Sequence, residues 1–210
     1  MTRNEPDNRP GEAASDRRAS IADAAIRIVA REGLRSLTHR AVDRELDLPT
    51  GSTSYYVRTR KQLIELVVHR LANRTRADLS ASPASAVVER EGATVTDAAG
   101  ALAALLERIA ARSDDQLARF ALAVDLHSDR ELHRFITNSS PIREQMLAGA
   151  RAVVSAAGAP DVDEAARGLL VVVDGLLFDR LAGSGVDSGH RADPATVIAA
   201  YLRGLPATAS

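Results

Sequence analysis

Cysteine and tryptophan are absent from the 210-residue sequence, which removes disulfides, thiolate zinc sites and cysteine nucleophiles together. Aromatic residues are scarce, three Phe and three Tyr. The apolar share rests on Ala, Leu and Val without the alternation of half-buried strands, a composition that favours packed helices over a β-sandwich. No run of about eighteen apolar residues occurs, and the polar start, MTRNEPDNRPGEAASD, lacks the apolar core of a signal peptide. The expectation is therefore a cytoplasmic chain with no membrane segment. Lysine is nearly missing too, 26 of the 27 basic residues being Arg, a bias that GC-rich coding explains without any binding role. A Gly-rich phosphate loop, a nucleophile elbow and a dinucleotide fingerprint are all lacking. His127 and His133, with Asp125 and Asp129 nearby, are the one cluster of metal-ligand types, but their spacing puts the imidazoles on different faces of a helix. Neither catalysis, nor a metal, nor a cofactor is expected.

What remains is 45% apolar and 26% charged, enough to bury a core. The net charge of −1 hides an asymmetry: residues 1–80 carry 15 basic and 11 acidic side chains, residues 81–210 carry 12 and 17. Between Arg35 and Arg76 nine basic side chains face four acidic ones, a balance suited to a polyanion.

Residues 1–17 are polar, hold Pro6, Pro10 and Gly11, and read as a flexible tail. From Ser20 onward Ile21, Ala24, Ala25, Ile28 and Val29 recur at helical spacing until Gly33 stops the run. Ser36 can cap a short second helix through about Leu46, with Leu37, Ala41 and Val42 on one face, and Asp47-Leu48-Pro49 makes a turn. Thr50 or Gly51 opens a third short segment, and Thr59 can cap a fourth helix carrying Leu63, Ile64, Val67, Val68 and Leu71. Two short helices about a tight turn make a helix-turn-helix. After a join with Pro83 and Gly92, helical spacing returns over 95–111, 114–126, 131–157, 162–181 and 194–205, which together form a bundle. The expected division is a tail over 1–17, a helix-turn-helix domain over 18–76, a linker over 77–94 and a bundle over 95–205.

The segment IADAAIRIVAREGLRSLTHRAVDRELDLPTGSTSYYVRTRKQLIELVVHRL resembles the DNA-binding domain of the tetracycline-repressor (TetR) family of transcription regulators. The order of Ala-Ala in an amphipathic first helix, Gly33, Leu37-Thr38, a turn with Leu48, a short hydroxyl- and aromatic-rich third helix, and a basic residue before Leu63 is that of the family. Thr53-Ser54 stands where the family usually has Leu-Tyr, Val57 where it has an aromatic, and Arg60 where it has Lys. The resemblance implies an all-α fold, an N-terminal three-helix helix-turn-helix domain joined to a C-terminal bundle for sensing and dimerisation.

A recognition helix entering a groove about 12 Å wide needs small or hydrogen-bonding side chains at its start, where free N–H groups can hold a phosphate. Thr50, Gly51, Ser52 and Thr53 fit that need, and Tyr55 and Tyr56 offer phenolic donors and ring faces. The resemblance sends Arg40 to a base or phosphate and sets Thr38 and His39 beside the DNA backbone, with Arg58, Arg60 and Lys61 bracketing the far strand. One of Tyr55 and Tyr56 can instead pack against Leu46 and Leu63, His39 can be a surface residue, and Arg40 and Lys61 can be solvated charges.

In the second half, Gly168 to Phe178 is apolar nearly all round the helix it forms, so it needs cover on both sides; a second copy of the chain is the simplest, and a helix buried in the monomer core is the competing reading. The resemblance pairs 162–181 and 194–205 with their mates in a homodimer, here around Val173, Leu177, Ile198 and Tyr201. Asp174 within the run needs a partner: Arg119, Arg167, Arg180, a helix end across the dimer, or a ligand. Pro141 either kinks one long helix or starts a new one capped by Ser139 or Ser140. The resemblance also places an inducer pocket in the bundle. The inward candidates are Leu105, Ile109, Phe120, Val124, Met146 and Phe178, with Arg119, Asp125, Asn138 and Asp174 as polar anchors. With so few aromatics, aliphatic walls are favoured over a stacking site.

The function expected is that of a homodimeric regulator, a repressor of operator DNA released by a small-molecule inducer. A ligand-independent DNA-binding dimer and a helical enzyme or carrier are the alternatives.

Overall fold

The computed structural model describes residues 10–82, 90, 92–137, 141–186 and 191–206. Among these there are ten α-helices and no strand. They are α1 (Pro10–Glu32), α2 (His39–Glu45), α3 (Ser52–Tyr56), α4 (Arg60–Ser80), α5 (Val95–Ala110), α6 (Ser113–Asp125), α7 (Arg130–Thr137), α8 (Pro141–Ala156), α9 (Val162–Leu181) and α10 (Pro194–Arg203), with a 3-10 turn over Leu34–Ser36. No helix among the described residues is long and apolar enough to cross a membrane.

Two expected boundaries move. Helix α1 begins at Pro10, so residues 10–17, expected in the tail, are helical. Proline suits a first helical position, and extending a helix already anchored by packing adds one bond per residue without a new nucleus. Helix α2 begins at His39 because Thr38, not Ser36, caps it: the Thr38 hydroxyl accepts the Ala41 N–H at 3.1 Å, while the Ser36 hydroxyl donates to the Glu32 carbonyl.

The N-terminal core forms around α1. Ile21, Ala24, Ala25, Ile28 and Val29 are buried against Leu37 and Val42 and against Leu63, Ile64, Val67 and Leu71 of α4. The start of α4 is a capping box, Thr59 accepting from Gln62 N–H and the Gln62 amide oxygen accepting from Thr59 N–H. Glu45 at the end of α2 accepts from Arg27 and Arg31 of α1, at 2.9 Å each, fixing α2 to α1.

Helix α6 completes this core, because Ala118, Leu122 and Leu126 bury themselves in the same cluster as α1, joined by Leu132 of α7. The rest of the bundle has its own core, where Ala99, Val154, Ala166, Leu169, Ile198 and Leu202 of α5, α8, α9 and α10 meet. Helix α4 runs from the first core to a third cluster, its Leu79 packing against Leu105, Leu106 and Leu177.

A ladder of ion pairs stitches α1, α4 and α6 at the junction. Asp23 takes Arg70 at 2.7 and 2.9 Å and Arg74 at 2.7 Å; Asp115, buried, takes Arg74 at 2.6 Å and Arg112 at 2.8 Å; Arg112 also pairs with Asp78. Asp78 first, and Asp115 after it, holds the Arg112 guanidinium far above its ordinary value despite burial. Arg70 and Arg74, counted from sequence in a polyanion-binding surplus, are thus spent inside the protein.

Helix α7 is described to Thr137 and α8 from Pro141, and the join expected to be either a kink or a new start capped by Ser139 or Ser140 lies outside the described residues. Helix α9 turns Ala165, Ala166, Leu169 and Leu177 into its own bundle, and α10 does the same with Ile198, Ala199 and Leu202. Leu177 and Ile198, expected at a dimer face, are therefore monomer core, and Val173 packs inward with them. Tyr201 also stays within the protomer, its hydroxyl donating to the Ala165 carbonyl at 2.8 Å. That approach requires Gly168, where a Cβ would fall 2.2 Å from the Tyr201 oxygen.

Candidate functional site

Helices α2 and α3 are joined by a turn with Asp47 in the left-handed region (φ 51°) and Gly51 at φ 97° before the first residue of α3. The joint is held by Asp43, a buried carboxylate on α2. One oxygen accepts Gly51 N–H at 2.7 Å; the other accepts Thr53 N–H at 2.7 Å and the Thr53 hydroxyl at 2.6 Å. Burial pushes the Asp43 carboxyl up, but the bonds from Thr53 and then Gly51 outweigh it, and the group sits below its ordinary range.

This staple corrects two expectations. Thr53 is 0% exposed and cannot meet DNA. The N–H groups of Gly51 and Thr53, expected to hold a phosphate, already donate to Asp43. Sequence reading missed Asp43; the available signal was an acidic residue beside Ala41 and Val42 on the apolar face of α2.

The other expected residues divide in the same way. His39 is half-buried and its Nε2 donates to the Val57 carbonyl at 2.7 Å, tying the start of α2 to the end of α3. Arg60 folds back onto the carbonyls of Leu34 (2.7 Å) and Leu37 (3.4 Å), so its fork points at the protein's own backbone rather than outward. Tyr56 packs on the N-terminal core, and its carbonyl accepts from Arg18 at 2.8 Å. Tyr55 stands out, 82% exposed, edge-on to Tyr56 with ring centres 5.1 Å apart.

Thr38, Arg40, Thr50, Gly51 and Arg58 are exposed and Ser52 is half-exposed, its hydroxyl donating to the Pro49 carbonyl at 2.6 Å. Arg44, one turn after Arg40 on α2, is exposed as well, as is Ser54; spacing of i, i+4 from Arg40 was the signal for Arg44. Lys61 is exposed and pairs with Glu131 of α7 at 2.8 Å; Glu131 raises the ammonium's pKa.

The bundle holds a cavity of about 380 Å³. Its walls are Thr75 and Leu79 of α4, Ser82 after it, Leu102, Leu105, Leu106 and Ile109 of α5, Gln145, Met146, Ala148, Gly149, Ala150, Ala152 and Val153 of α8, and Leu169, Leu170 and Val173 of α9. Of the expected lining, Leu105, Ile109 and Met146 are there. Arg119, Phe120, Asp174 and Phe178 form a separate cluster where α6 meets α9: Arg119 pairs with Asp174 at 2.9 Å and lies 4.5 Å from the Phe120 ring centre, and the two Phe rings stand edge to face at 5.3 Å. Val124 is exposed, and Asp125 accepts Leu34 N–H at 3.1 Å. The reason is that α6 turns its apolar side to α1 and not to α8. Asn138 lies outside the described residues.

Residues 93–207, more than half of the chain, match the family described as tetracyclin repressor-like, C-terminal domain. The chain belongs to the tetracycline-repressor family. Solved structures of this family's fold align with nearly all of it. A member of the TetR family from Streptomyces coelicolor A3 is 26% identical, with 91% of this chain and 99% of that one covered at a TM-score of 0.67. The multidrug binding protein EbrR, complexed with malachite green, is also 26% identical, covering 91% and 99% at 0.64. A transcriptional regulator from Rhodococcus sp. Rha1 shares the fold at 21% identity, covering 88% and 91% at 0.66. No curated protein matches the sequence. As a tetracycline-repressor family protein the chain is a ligand-responsive DNA-binding transcription regulator, with the family's C-terminal domain in the bundle.

Proposed function

We propose that the chain is a homodimeric repressor that reads operator DNA with the outward side of α2 and α3 and releases it when a small molecule occupies the bundle cavity. Arg40, Arg44, Thr50, Ser54 and Tyr55 are the side chains offered to base edges or nearby phosphates, and Thr38, Ser52, Arg58 and Lys61 those offered to the DNA backbone. Asp43, Thr53, His39 and Arg60 position that face without touching DNA. Dimerisation uses the outward side of α9, where Val171 is 71% and Phe178 49% exposed beside Val124 of α6, together with the outer side of α10.

The observation that carries the reading is that Thr75 and Leu79 of α4 line the cavity, while the other end of α4 buries Leu63 and Ile64 under the reading head. A ligand that fits one setting of α4 better than another shifts the population of reading-head separations, and only a separation near one helical turn, about 34 Å, suits successive major grooves. The ion-pair ladder ties α4 to α1 beneath the head and to α6 of the bundle, a polar link between the two parts.

Enrichment of the protein's binding sequence from a random duplex pool, followed by fluorescence anisotropy and light scattering, tests this. A two-fold symmetric site bound by a dimer is expected. A pool with no enrichment, or a protein monomeric at micromolar concentration, overturns the proposal.

A further inference from the structure

Resting on the reading of the bundle cavity as the inducer site, we infer that its ligand is a neutral, compact, aliphatic molecule, and not a planar aromatic cation. Size follows from volume: about 380 Å³ lies at the lower end of the roughly 300–1,000 Å³ of small-molecule sites. Charge follows from the walls. Among the described residues lining the cavity there is no Asp, Glu, Lys, Arg or His, and the only polar side chains are Thr75, Ser82 and Gln145. A cation taken in there leaves water without a counter-charge.

Shape follows from the same inventory. Among the described residues no aromatic ring lines the cavity, so a flat π-face finds none of them to stack on. The Phe120–Phe178 pair that could have served sits at the other side of α9, beside the Arg119–Asp174 ion pair and away from this cavity. Leu, Ile, Val and Met walls instead give dispersion contact to a rounded aliphatic body. Thr75 donates its hydroxyl hydrogen to the Leu71 carbonyl at 3.1 Å, which leaves lone pairs to accept from a ligand hydroxyl. Gln145, exposed at the α8 wall, can both donate and accept.

Helix α8 supplies a clean way to close the site. Its wall is built from small residues, and a Cβ placed on Gly149 meets nothing within 4 Å. Gly149→Leu therefore places its Cβ without clash, extends a bulky side chain from the wall and removes a helix-interior glycine. Met146→Glu, at a half-buried position of the same wall, introduces the missing carboxylate.

The test uses three probes with the full-length dimer: 1-adamantanol, 1-adamantylammonium of the same shape, and ethidium. Binding is read by calorimetry and release of the selected DNA by anisotropy. Expected is that 1-adamantanol binds and lowers DNA affinity, that 1-adamantylammonium and ethidium bind at least about tenfold more weakly, a gap of about 1.4 kcal/mol or more, and that Met146→Glu reverses the order of the matched pair. Gly149→Leu abolishes all three effects while its melting temperature and DNA affinity stay at the wild-type values. If a cationic probe binds as well as the alcohol and Gly149→Leu abolishes it, the ligand class is wrong while the inducer site stands. If no probe binds, or binding survives in Gly149→Leu, or bound probe leaves DNA affinity unchanged, both the class and the site are overturned. Should Gly149→Leu melt lower than the wild type, Met146→Glu decides by itself: an unchanged order of the matched pair refutes the inference.

Discussion

Thr53→Val separates a positioning role from a DNA contact at one residue. Valine matches threonine in shape, and the site is fully buried, so packing is kept while one hydroxyl is lost. The hydroxyl donates to Asp43 at 2.6 Å. Hydrogen bonds to a charged group contribute about 1.5–3 kcal/mol. Asp43 retains its bonds from Gly51 N–H and Thr53 N–H, so the carboxylate is not orphaned and a loss of about 2 kcal/mol is expected. For a chain of this size that lowers the melting temperature by about 4–8 °C. The effect is also pH-dependent. Asp43 is held below its ordinary value of 3.8, so its stabilisation is present above that value and disappears as pH falls through the lower folded value; the gap between wild type and variant narrows in strong acid. Thr53→Ser, which keeps the hydroxyl, recovers most of the bond at the cost of one methyl. Calorimetric melts at pH 7 and pH 3 measure the stability change, and anisotropy well below the melting temperature measures DNA affinity. A Thr53→Val protein with wild-type stability and selectively lost DNA binding refutes the argument, since it puts Thr53 against the DNA after all.

Val171→Glu charges the most exposed apolar side chain of α9, and light scattering should find folded monomer where Leu177→Glu, at a buried position, unfolds the protomer. Lys61→Ala is expected to weaken binding to all sequences about equally and to reduce the salt slope by about 1. Glu131→Gln, which frees the Lys61 ammonium, should tighten DNA binding at low salt, and an unchanged affinity in both would remove Lys61 from the interface. Asp115→Asn leaves Arg74 and Arg112 without their shared buried carboxylate. Allowing for the partial exposure of both arginines, a loss of roughly 2–4 kcal/mol in urea unfolding is expected.

Repeats of 3.6 residues made the buried stripe of α1 and the inward side of α4 legible, because each helix has one apolar face and burial has one solution. Local chemistry did the same for the stops and starts: Thr59 with Gln62 three positions on, and Gly33 at a positive φ. The resemblance over Ile21–Leu71 pointed to the family before any fold was known. Other features were decided by contacts between residues far apart in sequence, which periodicity does not encode. Asp43 reads as a surface acid until α3 folds over it ten residues later. Asp125 reads as a pocket anchor until Leu34, 91 residues away, donates to it. Helix α9 is apolar on nearly every side, so its sequence carried no sidedness; only packing against α5, α8 and α10 turned Leu177 inward and left Val171 and Phe178 outside. An amphipathic stripe determines that a face will be covered, and the three-dimensional arrangement of the other helices determines what covers it.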